Sequence, residues 1–454
     1  MRLLPLMLSI AGSSLFFAMA QTSVAVPGLP ELKRMTARFA PVELKVDVSK
    51  LSGGDRKALA KLLEAAYLID DIFLTQFWSG NHALYDRLKA DETPLGQARL
   101  QYFWLNKGPW SALDEHRAFL PNVPPKKLPG ANFYPEDMKK EEFESWVKAL
   151  PPEQRKQAEG FFSVIRRRDG KLTIVPYSQE YSERLKRLRL LLREAAAATD
   201  NPSLKTFLNL RADAFLSNDY YASDVAWMDL DAPLDITIGP YETYNDELFG
   251  YKASFEAYIN LRDDRETKKV QFFASRLQEI ENNLPFDAKY RNPKIGAMAP
   301  IRVVNEILAT GDAAHGVQTA AYNLPNDERV VQEKGSKRVM LKNVQEAKFE
   351  SILKPIASRV LPAVAQEDVR FDSFFTHILA HELTHGIGPQ KIRIDGREAT
   401  VRQELKELYS AIEEAKADAT GLYMLQYMLD RKLLPEAGPE AERRLYTSFL
   451  ASSF

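Results

Sequence analysis

The sequence predicts a predominantly helical α+β protein. Several long segments repeat their apolar residues at helical spacing, while a few short segments rich in β-branched residues read as strands. Hydrophobic residues make up 45% of the 454 and charged residues 27%, the balance of a globular chain rather than a disordered one. At roughly 100–200 residues per domain, the length suggests two to four domains, or one large domain with an appendage.

In chain order, residues 21–51 are mixed and Pro-containing, and read as extended. Residues 55–77 (DRKALAKLLEAAYLIDDIFLTQF) carry the helical period. Residues 95–113 and 134–162 are broken by Pro and Gly and read as loops. Residues 162–176 (FSVIRRRDGKLTIVP) form a hairpin candidate turning at Asp169-Gly170. The basic run 166–168 within it reads as a solvated strand, with an anion site as the sharper alternative. Residues 181–215 are helical, 234–241 β-like, and 255–286 again largely helical. Residues 323–343 are polar, with a strand-like stretch at 338–341. From Phe371 onward the chain reads as helical to its end. No internal repeat or low-complexity tract is present.

Composition excludes several functions. Lys plus Arg number 61 against 62 Asp plus Glu, a net charge of −1, which argues against a nucleic-acid binder working by bulk charge. The chain has no Cys, so disulfides, Cys-ligated metal and thiol nucleophiles are ruled out. No G-x-S-x-G elbow, Walker A loop, EF-hand loop or G-x-G-x-x-G fingerprint occurs. Residues 1–20 (MRLLPLMLSIAGSSLFFAMA) have the form of a secretory leader: Arg2, an apolar run, and Ala18-Met19-Ala20 as a small-x-small cleavage site. The reading is a periplasmic or secreted protein without stable membrane association after cleavage.

The chemistry concentrates at His381-Glu382-Leu383-Thr384-His385. With His near 1.3% and Glu near ~8%, roughly 0.006 such H-E-x-x-H matches are expected by chance in this length. Asp372 or Ser373 is placed to cap a helix that Gly386, Gly388 and Pro389 end. On that helix His381 and His385 are four apart, so both imidazoles face one ion. Glu382 lies about 100° round but reaches the ion's open side as a base. A third protein ligand is required. Residues 400–434 read as the next helix, opened by capping-box spacing between Thr400 and Gln403. It carries Glu413-Glu414-Ala-Lys-Ala-Asp418. Glu414 and Asp418 share a face, so one can ligate while the other binds the free N–H of an imidazole; Glu413 could serve the other histidine. Ala415, Ala417, Ala419 and Gly421 suit close packing on a neighbouring helix. His377 also shares the motif face, but three collinear histidines cannot surround one ion tetrahedrally.

The pair HELTH (381–385) and EEAKAD (413–418) resembles the two metal motifs of the dipeptidyl peptidase III family of zinc metallopeptidases. Ile238-Gly-Pro-Tyr-Glu242-Thr-Tyr244, continuing to Phe255-Glu256, is similar to that family's stretch with a substrate-binding Glu and a catalytic Tyr. Asn323-Leu-Pro-Asn326 is similar to its peptide-binding segment. The resemblance implies one Zn²⁺ per chain, held by His381, His385 and Glu414. Glu382 would be the base, and Glu413 and Asp418 would partner the histidines. Tyr244 would bind the developing oxyanion, Glu242 a substrate's amino group, and Asn323 and Asn326 the peptide backbone.

The same resemblance implies two lobes around a cleft. One is a mixed lobe with a small β-barrel (21–262 plus 307–352); the other is a helical zinc-bearing lobe (263–306 plus 353–454). The plain five-residue first motif departs from a family pattern one residue longer. The apolar end at residues 446–454 suggests a chain truncated relative to the family. The expected activity is hydrolysis of peptides with release of N-terminal dipeptides. Rival readings are a zinc hydrolase of a non-peptide amide or ester, and a non-catalytic exported peptide-binding protein.

Overall fold

The long first helix runs Gly53–Phe77 and is capped by Ser52, whose hydroxyl accepts from the Asp55 backbone N–H at 2.9 Å. In the computed structural model, which describes residues 26–295, 300–389, 391–434 and 438–454, this helix packs on Ser182–Ala198, which in turn packs on Pro202–Ser217. The leader-like residues 1–20 lie outside the described residues. The break at Thr199–Asn201 separates what reads as one helical run. Asn201 caps the second helix through Leu204 N–H, Pro202 opens it, and Thr199 donates its hydroxyl to Asp55 at 2.6 Å.

The hairpin forms as expected: Ser163–Arg168 pairs antiparallel with Lys171–Pro176 across Asp169 (φ 50°) and Gly170 (φ 74°). Its basic run is held by Glu180 on Arg166 and by Asp137 and Glu142 on Arg167, which favours the solvated-strand reading.

A five-stranded sheet stands at the centre. Its order is Leu234–Pro240, Phe255–Arg262, Ile301–Gly311, Lys337–Leu341 and Ala321–Leu324. All neighbours are antiparallel except Ile301–Gly311 with Lys337–Leu341, which are parallel. No ladder among the described residues joins the two end strands. Phe255–Arg262 corrects the helical reading of 255–286: the helix begins only at Asp264, capped by Asp263. Residues 255–260 are all buried, yet the sequence Phe-Glu-Ala-Tyr-Ile-Asn-Leu-Arg alternates apolar with polar or tyrosine positions, the period of 2 that distinguishes this strand from the helix after it.

Other expectations fail locally. Leu29–Thr36 is a helix within the stretch read as extended. Pro94–Asn106, Lys140–Ala149 and Pro152–Ala158 are helices where Pro suggested loops; two of them use Pro as their first residue, where its missing N–H costs nothing. After Phe371 the chain is not wholly helical: Lys391–Ile394 and Arg397–Thr400 form a hairpin over Asp395-Gly396, both at positive φ.

Two large apolar cores share the sheet as a wall, giving two lobes. The first holds the three long helices and residues such as Ile236, Phe255, Val304, Val339 and Leu341. The second holds Val270, Phe273, Ile301, Val303 and Met340, together with Phe375, Leu379 and Leu383 of the helix Phe371–Thr384 and Met424, Leu425 and Met428 of the helix Tyr409–Asp430. The expected lobe boundary at 306/307 therefore falls inside one strand, whose early residues face the second core and whose later ones face the first.

Those last two helices, the motif helix and the acidic helix, lie against each other. Of the four small residues predicted to allow this, Ala417 and Gly421 are buried at the contact, while Ala415 and Ala419 are exposed. A Cβ at position 421 would stand 3.0 Å from His381 N and 3.2 Å from its Cα, so any side chain there requires the helices to give by a few tenths of an ångström. Gly421→Val is accordingly expected to force the helices apart and to cost about 1–3 kcal/mol of unfolding free energy in denaturant titration. An unchanged midpoint would show that the contact has slack.

Candidate metal centre

The motif helix starts without the expected side-chain cap. Its N-cap is Arg370, whose backbone N–H donates to Ser448 Oγ at 3.0 Å; Asp372 lies in the first turn. The helix ends at Thr384, and Gly388 turns the chain at φ 84°, its N–H donating to buried Glu281 at 2.7 Å. Thr384 Oγ1 donates to Ala417 O at 3.0 Å, pinning the motif helix to the acidic one. The acidic helix follows a full capping box at Thr400 and Gln403; a short helix Val401–Leu405 and a tight turn intervene before Tyr409.

This packing brings six predicted residues together. His381 Nδ1 lies 2.7 Å from Asp418 Oδ1, and His385 Nδ1 lies 3.1 Å from Glu413 Oε1. A carboxylate accepts the Nδ1–H of each ring, the tautomer in which Nε2 is the atom able to ligate an ion. Glu414 Oε2 is 3.1 Å from His381 Nε2 and 4.0 Å from His385 Nε2. Ligand atoms at 2.0–2.1 Å from a tetrahedral ion lie ~3.3–3.4 Å apart, so these spacings bracket what zinc demands. The donor set of two imidazoles and one carboxylate fits zinc on this geometry.

Glu382 is a second acid within reach: one of its oxygens is 3.9 Å from His385 Nε2, and His381, Glu382 and His385 offer ligand atoms within 4.8 Å of one another. Glu382 is however ion-paired with Arg338, on the sheet strand Lys337–Leu341. Lys416 pairs with Glu413 at 2.7 Å and donates to the His385 and Ile387 carbonyls at 3.1 and 2.8 Å, holding the turn after the motif. Burial holds the His385 imidazole below its ordinary pKa, with Glu413 opposing, so it is neutral at pH 7 as a ligand must be. His377 is not part of the centre: its ring is buried beside Phe449, and its Nε2 meets the Asp418 carbonyl.

The remaining predicted residues group elsewhere. Glu242 is half-buried at the end of the first sheet strand, and burial together with Asp312 raises its pKa. Glu256, fully buried, is raised well above the ordinary range by burial and by Asp312 and Glu242. Tyr244 is 80% exposed, its phenol pushed up chiefly by Glu242. Asn326 Nδ2 donates to Tyr241 O at 3.0 Å, tying the second Asn to the Glu242 segment. Asn323 is exposed on Ala321–Leu324, directly across the ladder from Arg338. Among the described residues, no hydrogen bond or ion pair joins Tyr244, Asn323 or Asn326 to the histidines. Sequence reasoning missed Glu256, Asp312 and Arg338. The first lay in a segment read as helix. The last showed only as part of a strand-like stretch.

The family model of Peptidase family M49 matches residues 137–392, more than half of the chain. The match includes Glu242, Tyr244, Asn323, Asn326 and the 381–385 motif, and ends before Glu413. Dipeptidyl-peptidase III of Caldithrix abyssi superposes with a TM-score of 0.85 at 50% identity, over 92% of this chain and 79% of that one. The dipeptidyl-peptidase III of Corallococcus sp. strain EGB gives 0.76 at 57% identity, over 94% and 79%. Nudix hydrolase 3 of Arabidopsis thaliana is 45% identical over 473 aligned positions; the chain spans 61% of that relative's length. Fold and match together define the family. The chain belongs to peptidase family M49, the family of dipeptidyl-peptidase III.

Glu413→Gln or Asp418→Asn is expected to weaken zinc binding by roughly 10–100-fold, read by competition with a chromophoric chelator. Zinc should also be lost as pH falls below 6.5. The His385 pKa is depressed from that value, so the ring stays neutral above it and takes up a competing proton only below it. Binding that does not change between pH 8 and 5 would contradict the assignment.

Proposed function

We propose that this peptidase is a zinc enzyme that releases dipeptides from peptide N-termini, with His381, His385 and Glu414 as the ligands of one ion. The observation that carries this reading is the orientation of the two rings: each Nδ1 is engaged by its own carboxylate, and Glu414 Oε2 stands near both Nε2 atoms. Zinc, when bound there, supplies Lewis acidity and a water that loses its proton near neutral pH. Glu382 would act as the general base, taking a proton from the attacking water and returning it to the leaving amine. Tyr244 donates its phenolic hydrogen to the developing oxyanion. Its exposure in the substrate-free chain is compatible with recruitment when the lobes close on a peptide.

Glu242, Glu256 and Asp312 supply the exopeptidase part of the proposal. Asp312 raises the pKa of both Glu242 and Glu256, and Glu242 raises that of Glu256, which marks a concentration of acidic groups in a part-buried region. A protonated peptide amino terminus relieves that repulsion, whereas a blocked terminus does not. Asn323 and Asn326 are the residues we assign to the peptide backbone.

Metal analysis paired with hydrolysis of a dipeptidyl-naphthylamide tests the reading. Wild type should hold one zinc and release the dipeptide. Glu382→Gln should keep the zinc and lose at least ~100-fold in kcat. Glu242→Gln should act mainly on KM. Cleavage confined to internal bonds of N-blocked peptides would overturn the exopeptidase assignment. Zinc-independent peptide binding, unchanged in Glu382→Gln and without turnover, would favour a binding protein.

We also propose export, on the leader-like residues 1–20; no described helix is long and apolar enough to cross a membrane. N-terminal sequencing of the protein recovered from its native host is expected to begin at Gln21, and an intact Met1 would oppose it.

A further inference from the structure

Around the two imidazoles stand four acidic side chains, and three of them have partners within the helical lobe. Asp418 accepts from His381, Glu413 is shared by His385 and Lys416, and Glu414 faces both Nε2 atoms. The fourth, Glu382, is ion-paired across the lobes with Arg338. The strand Lys337–Leu341 explains how that cation gets there. Val339 and Leu341 enter the first core and Met340 the second, so the alternation puts Arg338 on the same side as Met340, toward the motif helix. On the opposite face Lys337 is anchored to the Trp227 carbonyl at 2.6 Å.

We infer that Arg338 is a positioning residue that holds Glu382 as a base and keeps it from becoming an additional metal ligand. The inference rests on the zinc-peptidase reading above. It answers a problem that the geometry poses. Glu382 stands 3.9 Å from His385 Nε2, close enough for a carboxylate on a flexible stem to swing onto an ion at the histidines. Such a ligand would fill the position that water needs. A guanidinium fixed on a sheet strand gives the carboxylate a stronger competing partner with directional N–H donors. The strand also reports on substrate: Arg338 is directly opposite Asn323 in the ladder between Lys337–Leu341 and Ala321–Leu324. A peptide gripped by the Asn323–Asn326 segment is therefore one ladder rung from the residue that aligns the base.

Arg338→Gln and Arg338→Lys in the zinc-loaded full chain test this. For Arg338→Gln, kcat on a dipeptidyl-naphthylamide should fall roughly 10–100-fold, with KM changed by less than about 3-fold and one zinc per chain retained. Arg338→Lys should recover part of the loss. In a Glu382→Gln background, Arg338→Gln should add no further loss, because its effect passes through the absent carboxylate. Zinc X-ray absorption should show an added carboxylate oxygen in Arg338→Gln. Wild-type or raised kcat, an effect confined to KM, a loss explained by missing zinc, or an additive double variant would each overturn the inference. If the wild type holds zinc but hydrolyses no peptide, the functional reading fails instead. The absorption spectrum still decides: an unchanged ligand number in Arg338→Gln would then overturn the role of Arg338 on its own.

Discussion

The contact between the motif helix and the acidic helix at Gly421 sets the distance on which the candidate site depends. A bare Cα at that position lets the backbone of His381 approach more closely than a side chain there would allow without a shift, and the Thr384 hydroxyl bonded to the Ala417 carbonyl fixes the relative slide of the two helices. From that single contact follow the pairings Asp418 with His381 and Glu413 with His385, four residues apart on the motif helix and five on the acidic one. A shift of one residue along either helix would rotate the carboxylates by about 100° and break both pairs.

The electrostatics follow from the same geometry. Four carboxylates near two imidazoles would repel one another, but each is given a donor: a ring N–H, Lys416, Arg338, or the space where a cation fits. A second concentration of acidic groups lies in the sheet lobe, where Asp312 raises the pKa of Glu242 and Glu256, and Glu242 raises that of Glu256. In the function proposed above, the two groups would serve the two halves of the substrate, a scissile carbonyl and a charged amino end. Arg338 is the described ion pair that links the sheet to the motif helix.

Much of this was legible in the sequence, for identifiable reasons. The H-E-x-x-H spacing on a helix, the following acidic run and the small residues inside it are local patterns, and the packed helices realise them almost as read. The Asp169-Gly170 hairpin and the helix ending at Phe77 are likewise local. What escaped lies where one element runs into the next. Phe255–Arg262 alternates apolar with polar or tyrosine positions, but it leads directly into the helix from Asp264, whose pattern masks the change of period. The hairpin at 391–400 hid between two strong helices. Helices opening on Pro94 and Pro152 were mistaken for loops because Pro was weighed as a breaker rather than a starter. Arg338 could not have been found, since its importance lies in a cross-lobe partner 44 positions away in the chain.

The central claim is that Glu414, not Glu382, completes the ligand set with the two histidines. The most direct measurement is a crystal structure of the zinc-soaked protein with an anomalous difference map at the zinc edge. The account predicts one peak with His381 Nε2, His385 Nε2 and a Glu414 oxygen at ~2.0–2.2 Å, and Glu382 held off the ion by Arg338. A peak bound by Glu382 with Glu414 turned away, or no peak at the histidines, would contradict it.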